Sequence, residues 1–361
     1  MSEWQETTLG DLITLQRGHD LAKTEMKSGS IPVAGSNGVI GYHNEATTKA
    51  IGITIGRSGN IGNAYLYKED FWAHNTTLYV KDFKGNDEIF VYYLLKSIDF
   101  AGFNVGSAVP TLNRNHIHPM VIQKPSSKEQ KAIASVLSSL DDKIDLLHRQ
   151  NTTLERMAET LFRQWFVEEA QEDWEEKPLS SIANFLNGLA CQKFPPTDAI
   201  NKLPVLKIKE LSSGISESSD WATSNVKPKY IVENGDVIFA WSASLMVKVW
   251  DGEKCVLNQH LFKVTSKEFP KWFYLQWCKY HLDEFISISS SHATTMGHIK
   301  RGDLDTAMVK VPKPEQLTAM TEQMAPLLEK QIINAKQIKT LEKLRDNLLP
   351  KLMSGEARVE A

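Results

Sequence analysis

Two sets of polar and basic side chains carry groups that are suited to reading DNA, and they lie at matching places in the two halves of the chain. Such side chains donate and accept hydrogen bonds at base edges and phosphates. The first set comprises Arg57, Ser58, Asn60, Asn104, Ser107, Thr111, Asn113, Arg114 and Asn115. The second set comprises Trp241, Ser242, Ser244, Ser291, His292, Thr294, Thr295 and Lys300. Any one of them alone is more often an ordinary loop residue, but their recurrence predicts a pair of nucleic-acid contact surfaces.

The local signatures of catalysis are missing from the sequence. It contains no GxxxxGK[ST] phosphate loop, no HExxH pair and no GxSxG nucleophile turn. The glycine-rich stretch 56–62 is followed by no Walker lysine, so we interpret it as a tight turn between strands. The histidines are scattered, and Cys191, Cys255 and Cys278 form no CxxC pair. We therefore expect no catalytic residue, no metal site and no cofactor in this chain.

Composition limits the class of protein further. The 361 residues are 42% hydrophobic, enough for two globular domains, and the formal net charge of −3 excludes a polycation that binds nucleic acid indiscriminately. The polar, acidic start and the lack of an apolar run of about 18 residues predict neither a signal peptide nor a membrane span. The expected location is the cytoplasm.

An internal repeat dominates the organisation of the chain. An opening block recurs at an offset of 170 and pairs Trp4 with Trp174, Leu9 with Leu179 and Gly18 with Gly188. A second, ungapped block recurs at an offset of 183 and pairs Gly52 with Gly235, Ile55 with Ile238, Asn75 with Asn258 and Leu78 with Leu261. The two halves are thus predicted to share one architecture.

Each half ends in a long helical pattern. Apolar residues at alternating steps of three and four form a heptad seam from Leu137 to Trp165, and Ser127–Gln130 has the form of a capping box, so we predict a helix from Ser127 to about Glu168. The second pattern starts near Pro314 and is interrupted at Gln331 and Asn334. We expect the two helices to pack as an antiparallel coiled coil, with Asn151 fixing the register. The alternative is that each helix packs on its own domain.

The predicted fold class is α+β, with two mixed α/β domains separated by these two long helices. Residues 50–56 and 235–241 resemble strands, whereas residues 90–95 and 273–278 resemble helices. The predicted domains are globular over 1–125, helical over 126–169, globular over 170–314 and helical over 315–361.

This layout resembles the specificity subunit of type I restriction-modification systems. The resemblance is carried by the repeated opening blocks, by Gly235–Phe239, by Pro125 with Glu129-Gln130, by Pro314–Gln316, and by Leu161–Phe166. It implies two target recognition domains that each read one half of a split, asymmetric sequence in double-stranded DNA. It departs from the family pattern at Gly52-Ile53-Thr54, where the second half has Gly235-Asp236.

The resemblance also implies partners. Such proteins bind two modification subunits, which are methyltransferases that carry S-adenosylmethionine, and the assembly can recruit restriction subunits that use ATP and Mg. The chain itself would be a non-catalytic scaffold, and Phe162, Trp165 and Phe166 would form a partner-binding face or pack on the adjacent domain. Two other functions stay open from the residues alone: a coiled-coil adaptor without DNA readout, and a stand-alone DNA methyltransferase.

Overall fold

The fold is that of a computed structural model, which describes residues 4–103, 111–291 and 297–359. Two compact units emerge, and each mixes helices with strands, so the predicted α+β class is confirmed. Unit 1 comprises Met1–Ile144 and Leu341–Ala361, and unit 2 comprises Asp145–Thr340. The division falls inside both long helices, so each unit contains a part of each.

Unit 1 is built on short strands. They are β1 (Gln5–Thr8), β2 (Thr14–Arg17), β3 (Ile31–Gly35), β4 (Gly38–His43), β5 (Gly52–Gly56), β6 (Ala64–Tyr67), β7 (Trp72–Ala73), β8 (Thr77–Asp82) and β9 (Val121–Lys124). Its helices are α1 (Leu9–Leu12), α2 (Glu88–Ser97), α3 (Arg114–Ile117), the first half of α4 (Ser127–Arg163) and the end of α10 (Pro314–Ser354). Helix α2 begins where the Asp87 carboxylate accepts a hydrogen bond from the Phe90 N–H at 2.9 Å, and its apolar residues recur at helical spacing.

Unit 2 repeats this order with insertions. Its strands are β10 (Glu175–Pro178), β11 (Asn184–Asn187), β12 (Lys202–Leu206), β13 (Trp221–Thr223), β14 (Ile231–Val232), β15 (Val237–Ala240), β16 (Met246–Val249), β17 (Cys255–Leu257), β18 (Leu261–Thr265) and β19 (Met308–Val311). Its helices are α5 (Leu179–Ile182), α6 (Ile208–Ser213), α7 (Lys271–Tyr280), α8 (Leu282–Ser291), α9 (Arg301–Thr306) and most of α10 (Pro314–Ser354). The helices predicted over 90–95 and 273–278 thus lie in α2 and α7.

The sheets of the two units share one topology, to which the small sheet of unit 2 adds one strand. A large antiparallel sheet has the order β2-β8-β5-β6 in unit 1 and β11-β18-β15-β16 in unit 2. A small sheet has the order β4-β3-β7 in unit 1 and β13-β12-β17-β14 in unit 2, and in each the third strand runs parallel to the second. A two-stranded ribbon, β1 with β9 or β10 with β19, joins the start of each unit to its end. The predicted repeat is therefore a repeat of structure.

The register of the large sheets corrects the predicted equivalence of the second block. Ile55 lies opposite Leu78 in unit 1, and Phe239 lies opposite Phe262 in unit 2. Both strands are therefore related by an offset of 184, and the predicted offset of 183 is wrong by one residue. The sequence comparison paired unit 1 with Gly235, Ile238, Asn258 and Leu261. Each of these residues lies one position before the residue that is structurally equivalent.

This difference decides which side chains enter the main core. A slip of one residue sends every side chain of a strand to the opposite face. At an offset of 184 the main cores match: Ile53, Ile55, Leu78 and Val80 correspond to Val237, Phe239, Phe262 and Val264. Ile238 and Leu261 instead belong to a separate cluster with Trp250.

The start of α4 also differs from the prediction. The predicted helix is present, with α-helical residues Ser127–Arg163 followed by a π-helical turn over Gln164–Glu168. Its cap is Ser126, whose hydroxyl accepts a hydrogen bond from the Glu129 N–H at 3.3 Å, so the capping box proposed at Ser127 is wrong. Gln130 is buried. Its side-chain amide donates a hydrogen bond to Asn86 Oδ1, and its side-chain oxygen accepts one from the Asp87 N–H.

In unit 2 the interruptions of the second helical pattern face α4. The Asn334 amide donates a hydrogen bond to Asn151 Oδ1 at 2.9 Å, and the Asn151 amide donates to the Gln331 carbonyl at 3.3 Å. Asn334 is fully buried, and its Oδ1 has no hydrogen-bond partner among the residues that the structure describes. Asn151 thus contacts α10 at the two positions where the apolar pattern of α10 fails.

A polar network connects α2, α4 and α10 in unit 1, and the equivalent residues of unit 2 do not form it. The Tyr93 hydroxyl donates to Asp141 at 2.7 Å, and the Arg345 guanidinium donates to the other oxygen of Asp141, also at 2.7 Å. Burial and the Asp141 carboxylate raise the pKa of Tyr93, so this phenol stays protonated.

The equivalent residues of unit 2, at the same positions along α7, α10 and α4, are Gln276, Leu328 and Ala158. They line a cavity of about 190 Å³. The smaller side chains of unit 2 account for this cavity, because they replace a tyrosine and an arginine.

Candidate nucleic-acid interface

Three of the predicted contact residues of unit 1, Arg57, Ser58 and Thr111, lie at one edge of its large sheet, where β5 ends and β8 begins. The Arg57 N–H donates to the Thr76 carbonyl at 2.8 Å, and the Leu112 N–H donates to the Arg57 carbonyl at 2.8 Å. Ser58 and Thr111 form an antiparallel bridge beside them. The loop after β5 is therefore held by its backbone against the segment that precedes α3.

Unit 2 has the same arrangement at the equivalent edge. The Trp241 N–H approaches the His260 carbonyl at 3.4 Å, and the Ile299 N–H donates to the Trp241 carbonyl at 3.0 Å. Ser242 and His298 form the corresponding bridge. We call these two places the loop edges: Arg57–Asn60 with Asn75, Arg17 and Asp20 in unit 1, and Trp241–Ser244 with Gln259, His260 and Asn187 in unit 2.

The loop edge of unit 1 carries a charged network. The Arg57 guanidinium donates to the Asn75 carbonyl at 3.3 Å, and the Asn75 amide donates to the Asp20 carboxylate. Arg17 pairs with the same carboxylate at 2.8 Å. The hydrogen bonds from Asn75 and Arg17 hold the pKa of Asp20 below its usual value, so the carboxylate is an acceptor at neutral pH.

Two of these residues, Arg17 and Asp20, are absent from the predicted contact residues. They stand directly around Gly18, whose recurrence as Gly188 marks the same turn in both units. A Cβ at Gly18 would lie 2.1 Å from the His74 carbonyl oxygen, and one at Gly188 would lie 2.2 Å from that of Asn258. Close approach of two backbones explains both glycines, and their recurrence is a sequence signal from which this edge could have been found.

The glycine-rich stretch 56–62 forms the predicted turn between β5 and β6. The Gly56 N–H donates to the Asn63 carbonyl at 3.0 Å, and the Gly62 N–H donates to the Gly56 carbonyl at 2.8 Å. Gly59 has a φ of +83°, which favours glycine. Asn60 is exposed and donates to the Asn37 side chain, so it lies beside the turn between β3 and β4.

The loop edge of unit 2 is aromatic instead of charged. The Trp241 ring stacks on Phe262 at a centroid distance of 5.6 Å, and its N–H donates to Asn187 Oδ1 at 3.3 Å. Ser242 is 4% exposed, and its hydroxyl lies 3.1 Å from His260 Nδ1. Ser242 therefore positions His260, a residue absent from the predicted set, whereas Ser244 is exposed.

A short helix follows the bridged segment in each unit: α3 follows Thr111 in unit 1, and α9 follows His298 in unit 2. Asn113 caps α3 by accepting a hydrogen bond from the Asn115 N–H at 3.0 Å, and the Lys300 N–H at the start of α9 donates to Asp303 at 2.6 Å. Thr111 is half-buried, whereas Asn113, Asn115 and Lys300 are exposed.

Arg114 has a structural contact that recurs in the other unit. Its guanidinium donates to the Leu15 carbonyl of β2 at 3.4 Å, and Arg301 donates to the Phe185 carbonyl of β11 at 3.2 Å. Because both arginines hold the same strand, this contact belongs to the shared frame.

Some predicted contact residues cannot be placed at these edges. Asn104, Ser107, His292, Thr294 and Thr295 lie outside the described residues, and so does the side chain of Ser291.

The partner-binding face predicted at the end of α4 needs correction. Phe162 and Phe166 are buried in the core of unit 2, at 4% and 3% exposure. Phe162 meets Trp277 edge to face at 5.0 Å, and Phe166 lies 5.4 Å from Trp174. Trp165 is half-buried against the same core. Burial of the Phe162 and Phe166 rings stabilises the unit, so these two side chains offer no open surface to a partner.

Within the part of the chain that the structure describes, no three His, Cys, Asp or Glu side chains are grouped so as to hold a metal ion. Nor does any described helix have the length and apolar character needed to cross a membrane.

Comparison with known proteins identifies the family. The family model for the type I restriction modification DNA specificity domain matches residues 1–156 and again residues 171–343. The chain belongs to this family. The MjaIX specificity subunit of a type I restriction enzyme from Methanocaldococcus jannaschii is 30% identical over 75% of this chain and 69% of its own length. The MjaVIII specificity subunit of the same organism is 21% identical over 99% of this chain and 94% of its own length.

A solved structure agrees on the fold. The S subunit of a type I restriction-modification system from M. genitalium superimposes with a TM-score of 0.67, covering 97% of this chain and 96% of that one at 17% identity. Each of the two matched segments of the DNA specificity family contains one large sheet and one loop edge. The resemblance inferred from the sequence is therefore confirmed.

Proposed function

We propose that each unit reads one half of a bipartite, asymmetric DNA target with its loop edge. The observation that carries this proposal is that the two edges share a backbone and differ in side chains. Equivalent positions hold Arg57 and Trp241 after the central strand. Asn75 and Gln259 are equivalent as well, and so are Arg17 and Asn187. One frame with two sets of chemical groups suits two different base sequences.

The side chains at each edge have the chemistry that base edges require. Arginine donates two hydrogen bonds to guanine O6 and N7, and a carboxylate accepts from cytosine N4. Arg57, Arg17 and Asp20 give unit 1 these groups. Gln259 and His260 give unit 2 an amide and an imidazole, which lie 3.4 Å apart. We therefore expect unit 1 to prefer a half-site rich in G·C pairs, and we expect this preference to be weaker in unit 2.

The proposal assigns the chemistry of the system to partners. Two modification subunits would bind S-adenosylmethionine and methylate adenine, and restriction subunits, where present, would use ATP and Mg. The chain itself would recognise DNA and act as a scaffold without a catalytic step, in the cytoplasm. The domain boundaries at 125/126, 169/170 and 314/315 belong to the same proposal.

Exposed apolar residues on the long helices suit a partner that is present twice. Leu146 and Met157 lie eleven residues apart on α4, with 39% and 48% of their surface exposed. Ile333 and Leu344 occupy the equivalent positions on α10, with 56% and 44% exposed. Eleven residues make about three helical turns, so each pair lies along one helix face. We propose that each pair contacts one modification subunit, in place of the buried Phe162.

The two helices form an antiparallel coiled coil in this proposal. Two contacts support it, each within its own unit. In unit 1 Asp141 of α4 pairs with Arg345 of α10, and in unit 2 Asn151 of α4 pairs with Asn334 of α10. The residue number rises along one helix as it falls along the other, which is the signature of antiparallel helices.

Co-expression with the modification subunit, followed by methylation-sensitive sequencing of the host DNA, tests the function. We expect methylated adenine in one split, asymmetric motif. The Arg57→Ala variant should relax only one half of that motif and Trp241→Ala only the other. Lys131→Ala, which removes a charge from the exposed side of α4, is the matched control and should leave the motif unchanged.

Two outcomes would contradict the proposal. An unchanged motif in both loop-edge variants would show that the bases are read elsewhere. Association of the two proteins without any methylated motif would favour an adaptor without DNA readout. Heat of S-adenosylmethionine binding to the purified chain alone would favour a stand-alone methyltransferase.

A further inference from the structure

The outer strands of the two small sheets, β4 and β13, are equivalent. In unit 1 Val33 of β3 lies beside Trp72 of the parallel strand β7, and in unit 2 Val205 of β12 lies beside Val256 of the parallel strand β17. Trp72 and Val256 are related by the offset of 184 found in the large sheets, so Val33 corresponds to Val205. Strand β4 pairs with the opposite side of β3, and strand β13 pairs with the opposite side of β12. Each therefore lies at the edge of its small sheet.

An exposed aromatic ring occupies the same register position on both edge strands. Tyr42 lies opposite Pro32 in unit 1, and Trp221 lies opposite Pro204 in unit 2. The tyrosine is 59% exposed and the tryptophan 42%. The residue after each ring points inward in both units and is buried. The two aromatic side chains therefore leave equivalent strands on the same face.

The recurrence is not a by-product of similar local sequence. In unit 1 β3 and β4 are joined by two residues, 36–37, whereas in unit 2 the connection between β12 and β13 spans 207–220 and contains helix α6. The segment that leads to the edge strand differs in length and structure between the units, yet a large aromatic side chain is exposed opposite the equivalent proline in both. A role common to the two units accounts for this better than inheritance of a loop.

The shared role is separate from base reading. The turn between β3 and β4 reaches the loop edge, because Asn60 donates to Asn37. Tyr42 lies five residues further along β4, about 16 Å away at about 3.3 Å per residue. The units also differ at their loop edges, whereas the rings recur. What two such units have in common is the sugar-phosphate backbone and the modification subunit.

The chemistry favours the protein partner over the phosphates. Phosphate contacts come mainly from lysine, arginine and small polar groups, whereas tyrosine and tryptophan are enriched among the residues that contribute most to protein interfaces. Val39 and Ile40, on the same strand as Tyr42, are exposed at 48% and 39%. The Lys202 ammonium lies 4.4 Å from the Trp221 ring centre and is occupied there. Apolar surface next to an aromatic ring suits a protein.

We infer that Tyr42 and Trp221 are equivalent docking residues, each of which contacts one copy of the modification subunit. This inference rests on the proposed function, since it needs a methyltransferase partner that binds twice. Contact with the recognition unit itself, in addition to the helices, would orient each methyltransferase toward the half-site that this unit reads.

The test compares the full-length chain with the variants Tyr42→Ala, Trp221→Ala and their combination, titrated with purified modification subunit. We expect each single variant to weaken one of two binding events about tenfold and the double variant to weaken both. Ile286→Ala is the matched control, because Ile286 is an apolar residue that is 42% exposed on α8, outside both small sheets. Tyr42→Phe and Trp221→Phe should retain most of the affinity, and the unfolding midpoint checks that each variant is folded.

The outcomes separate the inference from the proposed function. If the wild-type chain binds no modification subunit, the proposed function fails and the inference falls with it. If the wild type binds two copies and the double variant binds them equally well, the inference alone is overturned. Unchanged subunit binding together with weaker DNA affinity and a smaller salt dependence would overturn it in favour of a phosphate contact.

Discussion

The buried asparagine pair of unit 2 allows a quantitative test of how α4 and α10 are matched. In the Asn151→Leu variant, Asn334 loses the acceptor of its 2.9 Å hydrogen bond while its amide stays fully buried. A contact to Gln150 at 3.3 Å remains for that amide, and Oδ1 already lacks a partner. Stranding a buried polar group costs about 1–3 kcal/mol, so the free energy of unfolding should fall by about this amount.

The double variant Asn151→Leu/Asn334→Leu should behave in the opposite way. Replacing both partners of a buried polar pair by apolar groups of similar volume is neutral or stabilising. The pseudo-two-fold supports this expectation, because the positions equivalent to Asn334 and Asn151 on the other helix are Leu147 and Ile338, both buried. The predicted coupling energy is therefore large, about 2 kcal/mol, and favours the double variant.

Chemical denaturation of the wild type, both single variants and the double variant gives this coupling energy directly. The transition of unit 2 can be followed by tryptophan fluorescence, since Trp250, Trp272 and Trp277 lie in its cores. Additive destabilisation, with the double variant less stable than either single variant, would refute the interpretation that the asparagine pair lowers stability and fixes the helix register.

Three further predictions concern packing, close approach and protonation. Transplanting the polar network of unit 1 into unit 2 with Ala158→Arg, Leu328→Asp and Gln276→Tyr should fill the cavity and raise the unfolding free energy by about 1–2 kcal/mol, whereas Ala158→Arg alone should lower it. Gly188→Ala should cost about 1–3 kcal/mol by denaturation, because its Cβ would lie 2.2 Å from a carbonyl oxygen. Burial lowers the pKa of His118 and nearby positive charges add to this, so the unfolded chain binds the proton more tightly and stability should fall as pH drops through about 6.5, a slope that His118→Gln should reduce.

The long helices were the part of the fold most readable from sequence, and the strand register was the least. A heptad seam of nine positions between Leu137 and Trp165 fixes a helix and its buried face, because few other structures have that period. Strand β5, by contrast, is buried on both faces from Gly52 to Gly56. Such a strand shows no alternation of apolar and polar residues, so nothing in its sequence distinguishes an offset of 183 from one of 184. The cap at Ser126 instead of Ser127 is a one-residue ambiguity of the same kind.

The contact residues divide in a similar way. Runs of polar residues in loops, such as Arg57–Asn60, were visible in the sequence because they stand together. Arg17 and Asp20 were not, since they reach the loop edge only through the fold, from the end of another strand. His260 was not predicted as a contact residue for the same reason. The repeated Gly18 and Gly188, which need close backbone approach, are the sequence signal from which that turn could have been found.

The internal repeat also distinguishes residues that maintain the shared fold from residues that read bases. This distinction gives a prediction for Arg114. A side chain that makes the same contact in both units cannot distinguish two different half-sites. Arg114 holds the Leu15 carbonyl as Arg301 holds that of Phe185, so Arg114→Ala should lower the stability of unit 1 by about 1 kcal/mol and leave the methylated motif unchanged. Asn115→Ala, which changes an exposed neighbour, is the comparison variant. A relaxed half-site in Arg114→Ala with unaltered stability would show that this arginine reads bases and that recurrence does not identify the frame.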